Sequence, residues 1–531
     1  MRPGESVQEV GREVSINLRL RGGGNKYPAK SHARRVADKI NVAEGKGLIV
    51  LEGTKTVNWP NSDMPAPFRQ DRYFYYLTGC NEPGCFVTYH IDRDLLTLWL
   101  PPVDSDPRHM LYYGRGSTVA EALEKYDVDE AHYIKPPALK TLTYLTMDDN
   151  EIHNYSIVSD DTLSGPHSDL KPSTVKLRTA IDACRVIKDE HEIDLIRRAN
   201  DITAAAHVKV MKGIHDFTNE AEVEAAYMSV CIARKAKEQA YDPIAGSGPN
   251  AATLHYSANV EDFGDGQTIV LDAGCEVERY ASDVTRTLPI NKKHPGHWPS
   301  QESEDIYSLV EEIQESCISQ MLPGNKYIEI TWHAHKVLIE GLLKLGILKG
   351  DAHKIFSAGV STAFLPHGLG HHVGLEVHDV SPVPHPPAEL DDVGADRRYV
   401  AWTDAAYKQW SPDSSALLPG TNAAQSDGAF HGAFHRSAAQ LASVDAPSLE
   451  PGMVVTVEPG VYFNEPLLEK FLQDPKLSKY VDREVLRRYA PVGGVRIEDD
   501  ILITKDGYEN LTTAPKGEEM LKVIREAAAK R

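Results

Sequence analysis

Short apolar runs separated by turn-forming residues characterise the N-terminal part of the chain. The runs at 48–51, 86–89 and 95–100 combine aliphatic, aromatic and β-branched residues, which is typical of strands in a largely buried sheet. Patches with helical spacing lie between these runs, so the pattern predicts a mixed α/β domain with a parallel or mixed sheet over residues 36–172. Residues 1–35 are polar and glycine-rich, and we interpret them as a flexible N-terminal tail.

Helical periodicity replaces the short runs in the larger C-terminal part of the chain. Apolar residues at 193, 196 and 199 follow the polar stretch 188–192, which predicts a long amphipathic helix beginning there. Strand-like runs alternate with further helices, which predicts an α+β domain over residues 180–518. A stretch rich in Ser, Asp, Gly and Pro at 160–172 predicts a linker between the two domains. The other predicted helices cover 220–240, 302–321 and 328–345.

One segment departs from both patterns. Residues 386–444 are rich in Ala, Ser, Gly and Asp, and a structureless stretch of this length is unusual inside a compact domain. Two explanations stay open: an atypical insertion in the C-terminal domain, or non-coding sequence carried into the gene model. Tryptic peptides covering 402–436 in mass spectra of the native protein would exclude the second explanation.

The composition disfavours several classes of function. The 531 residues are 41% hydrophobic, and the formal net charge of −20 argues against nucleic acid or an anionic membrane as the main partner. No apolar run approaches the roughly 20 residues of a membrane span, and the N-terminus has no apolar secretory segment. Six scattered cysteines predict reduced thiols and a cytoplasmic location, while the spacing of Cys80 and Cys85 indicates zinc only weakly. The sequence leaves self-association into a homo-oligomer open.

Asp272 and Asp283 flank a predicted β-hairpin. A short buried strand is predicted to end at Asp272, and the returning strand is predicted to contain Asp283. With the reversal centred between Val277 and Glu278, the two aspartates would lie directly opposite each other, with Cβ atoms about 5 Å apart. Buried carboxylates at this distance repel, so one is protonated, a basic group lies between them, or both bind metal. Arg286 is a candidate partner for a purely structural ion pair.

A dense cluster of histidines follows. His367, His371, His372 and His378 occur within twelve residues, and interspersed glycines allow the backbone to approach closely. A lone histidine is more often structural than a ligand, but this density favours a site in which one or two imidazoles take part. We assign no role to His372. The interspersed glycines are Gly368, Gly370 and Gly374.

Two glutamates complete the candidate ligands. Glu458 ends an apolar strand, where a carboxylate is costly unless it is paired or bound to metal. Glu498 shares a strand face with Arg496, although three consecutive acidic residues at 498–500 leave the choice of ligand ambiguous. His255 lies shortly before the first aspartate segment. Two Asp, two Glu and one His suit Mn²⁺, Co²⁺, Fe²⁺ or Zn²⁺, and four carboxylates can neutralise two divalent ions about 3.5–4 Å apart.

These segments together resemble a known enzyme family. The contexts DAG, SDVTRT, HGLGHHVGLEVHD, TVEPGVY and GVRIEDD resemble those of pita-bread metallopeptidases, and among them Xaa-Pro aminopeptidases and prolidases. The motifs extend in order over residues 185–515, and segment 68–83 resembles the N-terminal domain of the proline-directed members. The resemblance implies an α+β protein in which a smaller, creatinase-like α/β domain precedes a pita-bread catalytic domain. Segment 386–444 is longer than the family pattern and unlike it.

The resemblance also implies a dinuclear metal centre, with Mn²⁺ as the usual metal. It implies that Asp272 binds one ion, that His371 binds the other, and that Asp283 and Glu498 bridge them. Glu458 would be a further ligand that accepts a proton from the bridging water. The resulting hydroxide would attack the carbonyl of the first residue in peptides with proline at the second position.

The remaining candidate residues are implied to surround the substrate. His255, His367 and His378 would line the cleft, where they stabilise the oxyanion or transfer a proton to the departing proline nitrogen. Tyr462 and Arg496 would shape the pocket for the proline ring. In this interpretation His367, His378 and Glu458 are catalytic, and His255, His378, Tyr462 and Arg496 bind the substrate.

Two alternatives accompany this interpretation. An Xaa-Pro dipeptidase has nearly the same motifs and differs in a basic wall that captures the substrate's C-terminal carboxylate, which no segment here identifies. A catalytically inactive pita-bread protein that binds proteins or RNA would have lost ligands, and an RNA-binding protein would carry basic runs. All five ligand positions are intact and the chain is acidic, which disfavours the second alternative.

Overall fold

The computed structural model describes most of both domains, namely residues 26–40, 47–103, 110–112, 114–134, 153–155, 174–264, 266–380 and 447–530. The predicted linker at 160–172, the atypical segment at 386–444 and residues 1–25 of the predicted tail lie outside the described residues. Within the described ranges, no helix combines the length and the apolar character needed to cross a membrane.

A mixed five-stranded sheet forms the centre of the N-terminal domain. Its strands are β1 (Leu48–Glu52), β2 (Phe86–His90), β3 (Leu95–Leu100), β4 (Glu130–Tyr133) and β5 (His153–Tyr155). Their order across the sheet is β4-β3-β2-β1-β5, with β3 and β4 parallel and the other neighbours antiparallel. The three predicted apolar runs form β1, β2 and β3, and most of their side chains are buried. The mixed sheet predicted from the sequence is therefore confirmed.

Helix α1 (Ala29–Ile40) contradicts part of the predicted flexible tail. Ala29, Ala33 and Val36 recur at helical spacing and are fully buried, so the chain from Ala29 onward is folded onto the domain. The prediction failed because the glycine-rich composition just upstream obscured this narrow apolar stripe. The next two helices are α2 (Arg72–Thr78) and α3 (Val119–Lys125).

Long helices form much of the C-terminal domain. Helix α4 (Thr174–Val186) precedes helix α5 (Glu190–Gly213). Helix α5 is the long helix that the sequence predicted to begin at the stretch 188–192, and Asp189 caps it by accepting backbone hydrogen bonds. Helix α6 (Glu220–Ala233) ends earlier than predicted because Lys235 adopts a left-handed conformation, with φ of 67°. The later helices are α7 (Gln301–Ile318), α8 (Tyr327–Lys344), α9 (Ala352–Ser357), α10 (Glu465–Gln473), α11 (Pro475–Ser478), α12 (Arg483–Tyr489) and α13 (Gly517–Ala529).

Antiparallel strands of this domain lie among these helices. They form sheets in the orders β10-β7-β6 and β11-β14-β15, and the pairs β12-β13 and β8-β9. Their ranges are β6 (Ile244–Ser247), β7 (Gln267–Asp272), β8 (Glu276–Val277), β9 (Tyr280–Ala281), β10 (Thr285–Ile290), β11 (Val454–Val457), β12 (Gly460–Tyr462), β13 (Gly494–Arg496), β14 (Asp499–Ile503) and β15 (Tyr508–Asn510).

The hairpin register differs from the prediction. Thr285, and not Asp283, lies directly opposite Asp272 in the pairing of β7 with β10. The reversal falls one residue later than predicted, between Glu278 and Arg279, which adopt φ of 48° and 70°. Two consecutive residues with positive φ are typical of a type I′ hairpin turn, and the hairpin segment 272–283 contains no Asn-Gly or Asp-Gly pair that would have indicated it. Asp283 is therefore a diagonal neighbour of Asp272 and remains close to it.

Candidate active site

A cavity of about 390 Å³ lies beside the ends of β7 and β13. Nine of the ten residues that the sequence analysis assigned to the site line this cavity. The tenth, Tyr462, lies behind it, with its hydroxyl oxygen 2.8 Å from Nε2 of His367. The fold therefore gathers residues that are spread over more than 240 positions of the chain. The nine lining residues are His255, Asp272, Asp283, His367, His371, His378, Glu458, Arg496 and Glu498.

The acidic residues and one histidine form two adjacent groups of ligand-type atoms. In the first group, atoms of Asp272, Asp283 and Glu498 all lie within 4.8 Å of one another. In the second group, atoms of His371, Glu458 and Glu498 also all lie within 4.8 Å of one another. Such ligands lie about 2.0–2.2 Å from a metal ion, so two atoms on opposite sides of one ion are about 4 Å apart. Each group therefore has the dimensions of a site for one divalent cation, and Glu498 belongs to both.

The electrostatics of the cavity also fit bound cations. Burial, reinforced by the neighbouring carboxylates, raises the pKa of Glu498 well above its ordinary value. Burial is also the main cause that raises the pKa of Asp283 to about 6, and the charge of Asp272 adds to it. Four carboxylates that share a buried site disfavour one another's ionisation, and divalent cations would balance their charge.

His371 presents one ring nitrogen to the carboxylates. Its Nδ1 donates to the carbonyl oxygen of His372 at 3.1 Å, so Nε2 faces Asp283 at 3.5 Å and Glu458 at 3.3 Å. Burial alone would lower the pKa of His371, but hydrogen bonds to these two carboxylates outweigh burial and raise it to about 10. A Cβ atom on the preceding Gly370 would lie 2.4 Å from the carbonyl oxygen of Thr456, so this close approach requires glycine.

Arg496 and Thr285 connect the carboxylates at the floor of the site. Arg496 Nη2 donates to Oδ2 of Asp272 at 2.6 Å, and its Nε donates to Oγ1 of Thr285 at 3.2 Å. The Thr285 hydroxyl in turn donates to Oε2 of Glu498 at 2.7 Å. The register that places Thr285 opposite Asp272 thus fixes the orientation of two candidate ligands.

His367 has hydrogen-bond partners at both ring nitrogens. Nδ1 donates to the carbonyl oxygen of Gly368 at 2.8 Å, and Nε2 accepts from the hydroxyl of Tyr462 at 2.8 Å. Arg496 Nη1 donates to the same hydroxyl oxygen at 2.9 Å, which leaves the Tyr462 proton for His367. Burial lowers the pKa of His367, consistent with a neutral imidazole. The ring of His378 packs edge-on against the ring of His371, and the two ring centroids are 4.2 Å apart.

Tyr241 is a site residue that the sequence analysis missed. Its hydroxyl oxygen lies 2.5 Å from Oδ1 of Asp272 and also 2.5 Å from Oδ1 of Asp283. Burial, together with these carboxylates, raises the pKa of Tyr241 well above its ordinary value. No local pattern around Tyr241 indicated this position. Thr285 was also missed, although it lies two residues after Asp283 and period-two alternation could have placed it on the same face.

The structure separates the three consecutive acidic residues. Glu498 faces the cavity, whereas Asp499 binds Arg286 at 2.8 Å, away from it. Asp500 accepts hydrogen bonds from Asn200 and from the backbone N–H of Asp283. Arg286, which the sequence offered as a partner for a structural ion pair with the two aspartates, therefore pairs with Asp499 instead.

His372 does not line the cavity, although it is fully buried. Burial lowers its pKa to about 3. The backbone of His372 forms an isolated β-bridge with Val455 of β11, the strand that supports His371. Its position agrees with the absence of an assigned role in the sequence analysis.

Two family models match the chain. Metallopeptidase family M24 matches residues 194–505, and the N-terminal domain of aminopeptidase P matches residues 32–151. The first match alone covers more than half of the chain and contains every candidate ligand. Among solved structures, Escherichia coli aminopeptidase P with the inhibitor Pro-Leu has 26% sequence identity and a TM-score of 0.68, over 95% of this chain and 100% of that chain. The two-domain α+β architecture expected from the sequence is thereby confirmed.

Curated relatives are more similar in sequence. A probable Xaa-Pro aminopeptidase of Pyrenophora tritici-repentis is 48% identical over 96% of this chain and 73% of its own length. One of Aspergillus clavatus is 46% identical over 94% of this chain and 93% of its own length. One of Pyrenophora teres f. teres is 48% identical over 94% of this chain, and the chain spans about half of that relative, 51%.

Proposed function

The chain belongs to metallopeptidase family M24, and from this premise we propose that it is a metal-dependent aminopeptidase that removes the first residue from peptides with proline at the second position. The observation that carries the proposal is the pair of ligand groups that share Glu498 beside a cavity of about 390 Å³. Relatives named probable Xaa-Pro aminopeptidases and the match to the N-terminal domain of aminopeptidase P support the substrate class.

The donor set fits two divalent cations. Asp272, Asp283 and Glu498 would hold one ion, and His371, Glu458 and Glu498 would hold the other. We propose Mn²⁺, because four carboxylates with a single imidazole form a largely oxygen-donor set. When bound, such ions supply a water nucleophile near neutral pH and polarise the peptide carbonyl.

Glu458 is the proposed proton acceptor. Burial alone would raise its pKa, but the hydrogen bond to His371 and the electrostatic interactions with His371, His367 and Arg496 together lower it, so the carboxylate is ionised at neutral pH. Oε1 faces His371 at 3.3 Å, and Oε2 lies 3.9 Å from His367 on the cavity side. A carboxylate in this position can accept a proton from the nucleophile and return it to the departing proline nitrogen.

The proline ring would lie against the mixed wall of the cavity. Among the residues that line the cavity, Ile244, Leu254 and Val377 provide aliphatic surface, and His255 and His378 provide polar edges. An Xaa-Pro bond has no N–H and a rigid ring, so a shaped apolar surface recognises it better than backbone hydrogen bonding would. Arg496 also lines the cavity, and its hydrogen bond of 2.9 Å to the Tyr462 hydroxyl holds these two side chains in place.

We also propose a reducing, cytoplasmic environment. All six cysteines are buried and free of disulfides, as expected for core thiols in the cytosol. Thiol titration of freshly prepared protein under denaturing conditions should detect all six. Recovery of fewer thiols, with the balance appearing only after reduction, would contradict this assignment.

Peptide-length specificity tests the proposed activity. Purified protein loaded with Mn²⁺ should release alanine from Ala-Pro-Ala-Ala and leave Ala-Ala-Ala-Ala uncut, and Glu458→Gln should abolish the release. Neither the dipeptidase nor the inactive alternative is favoured, because the relatives are named aminopeptidases. Rapid cleavage of Ala-Pro with no cleavage of the tetrapeptide would overturn the proposal in favour of the dipeptidase.

A further inference from the structure

A single arginine of the N-terminal domain contacts two separate segments of the catalytic domain. Arg72 lies in α2 and is only 4% exposed. Its Nη2 donates to Oε1 of Glu276 at 2.6 Å, and its Nε donates to Oε1 of Glu376 at 3.0 Å. One planar guanidinium therefore joins two carboxylates that are 100 residues apart in sequence.

Each of the two glutamates lies between a pair of cavity-lining residues. Glu276 is in the hairpin between Asp272 and Asp283. Glu376 is in the loop that connects His371 to His378. Arg72 thus contacts both segments within five residues of the side chains that face the cavity.

The two segments also touch each other. The backbone N–H of Ala281, in the hairpin, donates to the carbonyl oxygen of Gly374, in the loop, at 2.8 Å. Arg69 adds a second, more exposed contact to the same pair of carboxylates, at 2.9 Å from Glu276 and 3.2 Å from Glu376. The hairpin, the loop and the N-terminal domain therefore meet at one point, where Arg72 and Glu276 are buried and Arg69 and Glu376 are partly exposed.

The far end of the loop is anchored independently. Asp379, next to His378, accepts from Arg185 at 2.6 Å and from Lys188 at 3.0 Å, and all three side chains are almost fully buried. A Cβ atom on Gly374 would lie 2.2 Å from Oδ2 of Asp379, so the loop is tightly closed. Arg185 and Lys188 hold the end of the loop at Asp379, and Arg72 contacts the part of the loop that these two residues do not hold.

We propose that Arg72 is a positioning residue for the active site, through which the N-terminal domain sets the placement of the loop that carries His371 and His378. The inference rests on the proposed peptidase activity and deepens it. Displacement of catalytic groups by as little as about 1 Å can reduce turnover by up to about a hundredfold. A contact that fixes this loop therefore controls catalysis without touching the substrate.

The geometry requires an arginine and not only a positive charge. Two nitrogens of Arg72 each bind a different carboxylate, whereas a lysine ammonium is one point of charge and would have to be shared between both glutamates, as the more exposed Arg69 Nη2 is. Arg72→Lys therefore keeps the positive charge but loses one of the two buried contacts, and only the more exposed Arg69 still contacts both carboxylates.

Arg35→Lys is the control for replacing an arginine of the N-terminal domain. Arg35 donates to the carbonyl oxygens of Cys184 and Ile187. It reaches the hairpin only indirectly, through Glu192 at 3.7 Å, which accepts from the Tyr280 hydroxyl.

Kinetics and hydrogen exchange of the full-length Mn²⁺-loaded protein test the inference. We expect Arg72→Lys to lower kcat on Ala-Pro-Ala-Ala by roughly tenfold, with KM changed less, while Arg35→Lys stays near wild type. Amide exchange in peptides covering 276–281 and 374–379 should accelerate in Arg72→Lys only. A kcat for Arg72→Lys that falls no further than that of Arg35→Lys, or unchanged exchange in both peptides, would overturn the inference.

A second variant guards against misfolding. Glu376→Gln leaves the buried pair of Arg72 and Glu276 intact and weakens only the contact with the loop, so it should accelerate exchange at 374–379 alone and lower kcat. Wild-type exchange and wild-type kcat in Glu376→Gln would also overturn the inference. Failure of the wild-type protein to cleave any Xaa-Pro peptide would instead refute the proposed function, since the exchange measurement reports the contact without turnover.

Discussion

The hydroxyl oxygen of Tyr462 lies 2.8 Å from Nε2 of His367. The same oxygen accepts a hydrogen bond from Arg496, so the phenolic proton is directed at His367 and holds the imidazole as the neutral tautomer with hydrogen on Nδ1. Both ring nitrogens of His367 are engaged in hydrogen bonds, so this histidine can take part in proton transfer only if its hydrogen bond with Tyr462 breaks during the reaction. Tyr462 therefore links the orientation of His367 to that of Arg496.

Tyr462→Phe should lower kcat on Ala-Pro-Ala-Ala by about tenfold and shift the acidic limb of its pH profile, because His367 loses the group that fixes its protonation state. Metal content should not change. Tyr307→Phe is the control, since its buried hydroxyl accepts from the backbone N–H of Gly517, remote from the cavity. An unchanged pH profile for Tyr462→Phe would show that His367 has no part in the titrating step.

Asp283→Ala should remove metal and turnover together. Asp283 contributes to the first ligand group and accepts the Tyr241 hydrogen bond, so its loss leaves two carboxylates for that ion. We expect elemental analysis to fall below two metal ions per chain and activity to become undetectable. Asp305→Ala, which removes a carboxylate that pairs with Tyr489, should leave both values unchanged. Full activity of Asp283→Ala with metal still bound would refute the ligand assignment.

Arg185→Met should destabilise the fold strongly. Leaving a buried charge without any partner costs about 3–5 kcal/mol of unfolding free energy. The loss in this variant should approach but not exceed that range, because the buried carboxylate of Asp379 keeps Lys188 as its remaining partner. Arg115→Met is the control: both side chains of the Arg115–Glu121 pair are about half exposed, and water screens such a pair, so its loss should change the unfolding free energy little. Urea unfolding at neutral pH measures the unfolding free energies of both variants. Equal decreases in unfolding free energy for Arg185→Met and Arg115→Met would contradict the prediction.

The buried His335 should make the protein less stable in mild acid. Burial lowers its pKa from 6.5 to about 4, so as pH falls the unfolded chain binds a proton before the folded chain does. Stability from this residue is therefore present above pH 6.5 and is lost between pH 6.5 and about 4, by about 3 kcal/mol.

Urea unfolding at a series of pH values checks this effect. His335→Asn cannot titrate, so its unfolding free energy should depend less on pH than that of the wild type over this window. His132→Asn is the control, because the side chain of His132 is 52% exposed. A slope for His335→Asn equal to that of the wild type would contradict the prediction.

Much of the fold could be predicted from local patterns. The apolar runs that became β1, β2 and β3 were long enough to identify strands, and helix α5 began where its acidic cap indicated. The end of α6 and the folded part of the predicted tail were missed, because both depend on short capping or packing features. Local sequence constrains the type of an element more strongly than its boundaries.

The sequence by itself determined the kinds of ligand and their order along the chain, because carboxylates at the ends of apolar strands are costly unless something compensates them. Only the tertiary structure decided which acidic side chain of residues 498–500 faces the cavity. It also placed Thr285 opposite Asp272 and brought Tyr241 to both aspartates. These outcomes depend on strand register and on contacts between distant segments, and a shift of one residue in register moves every side chain of a strand to the other face.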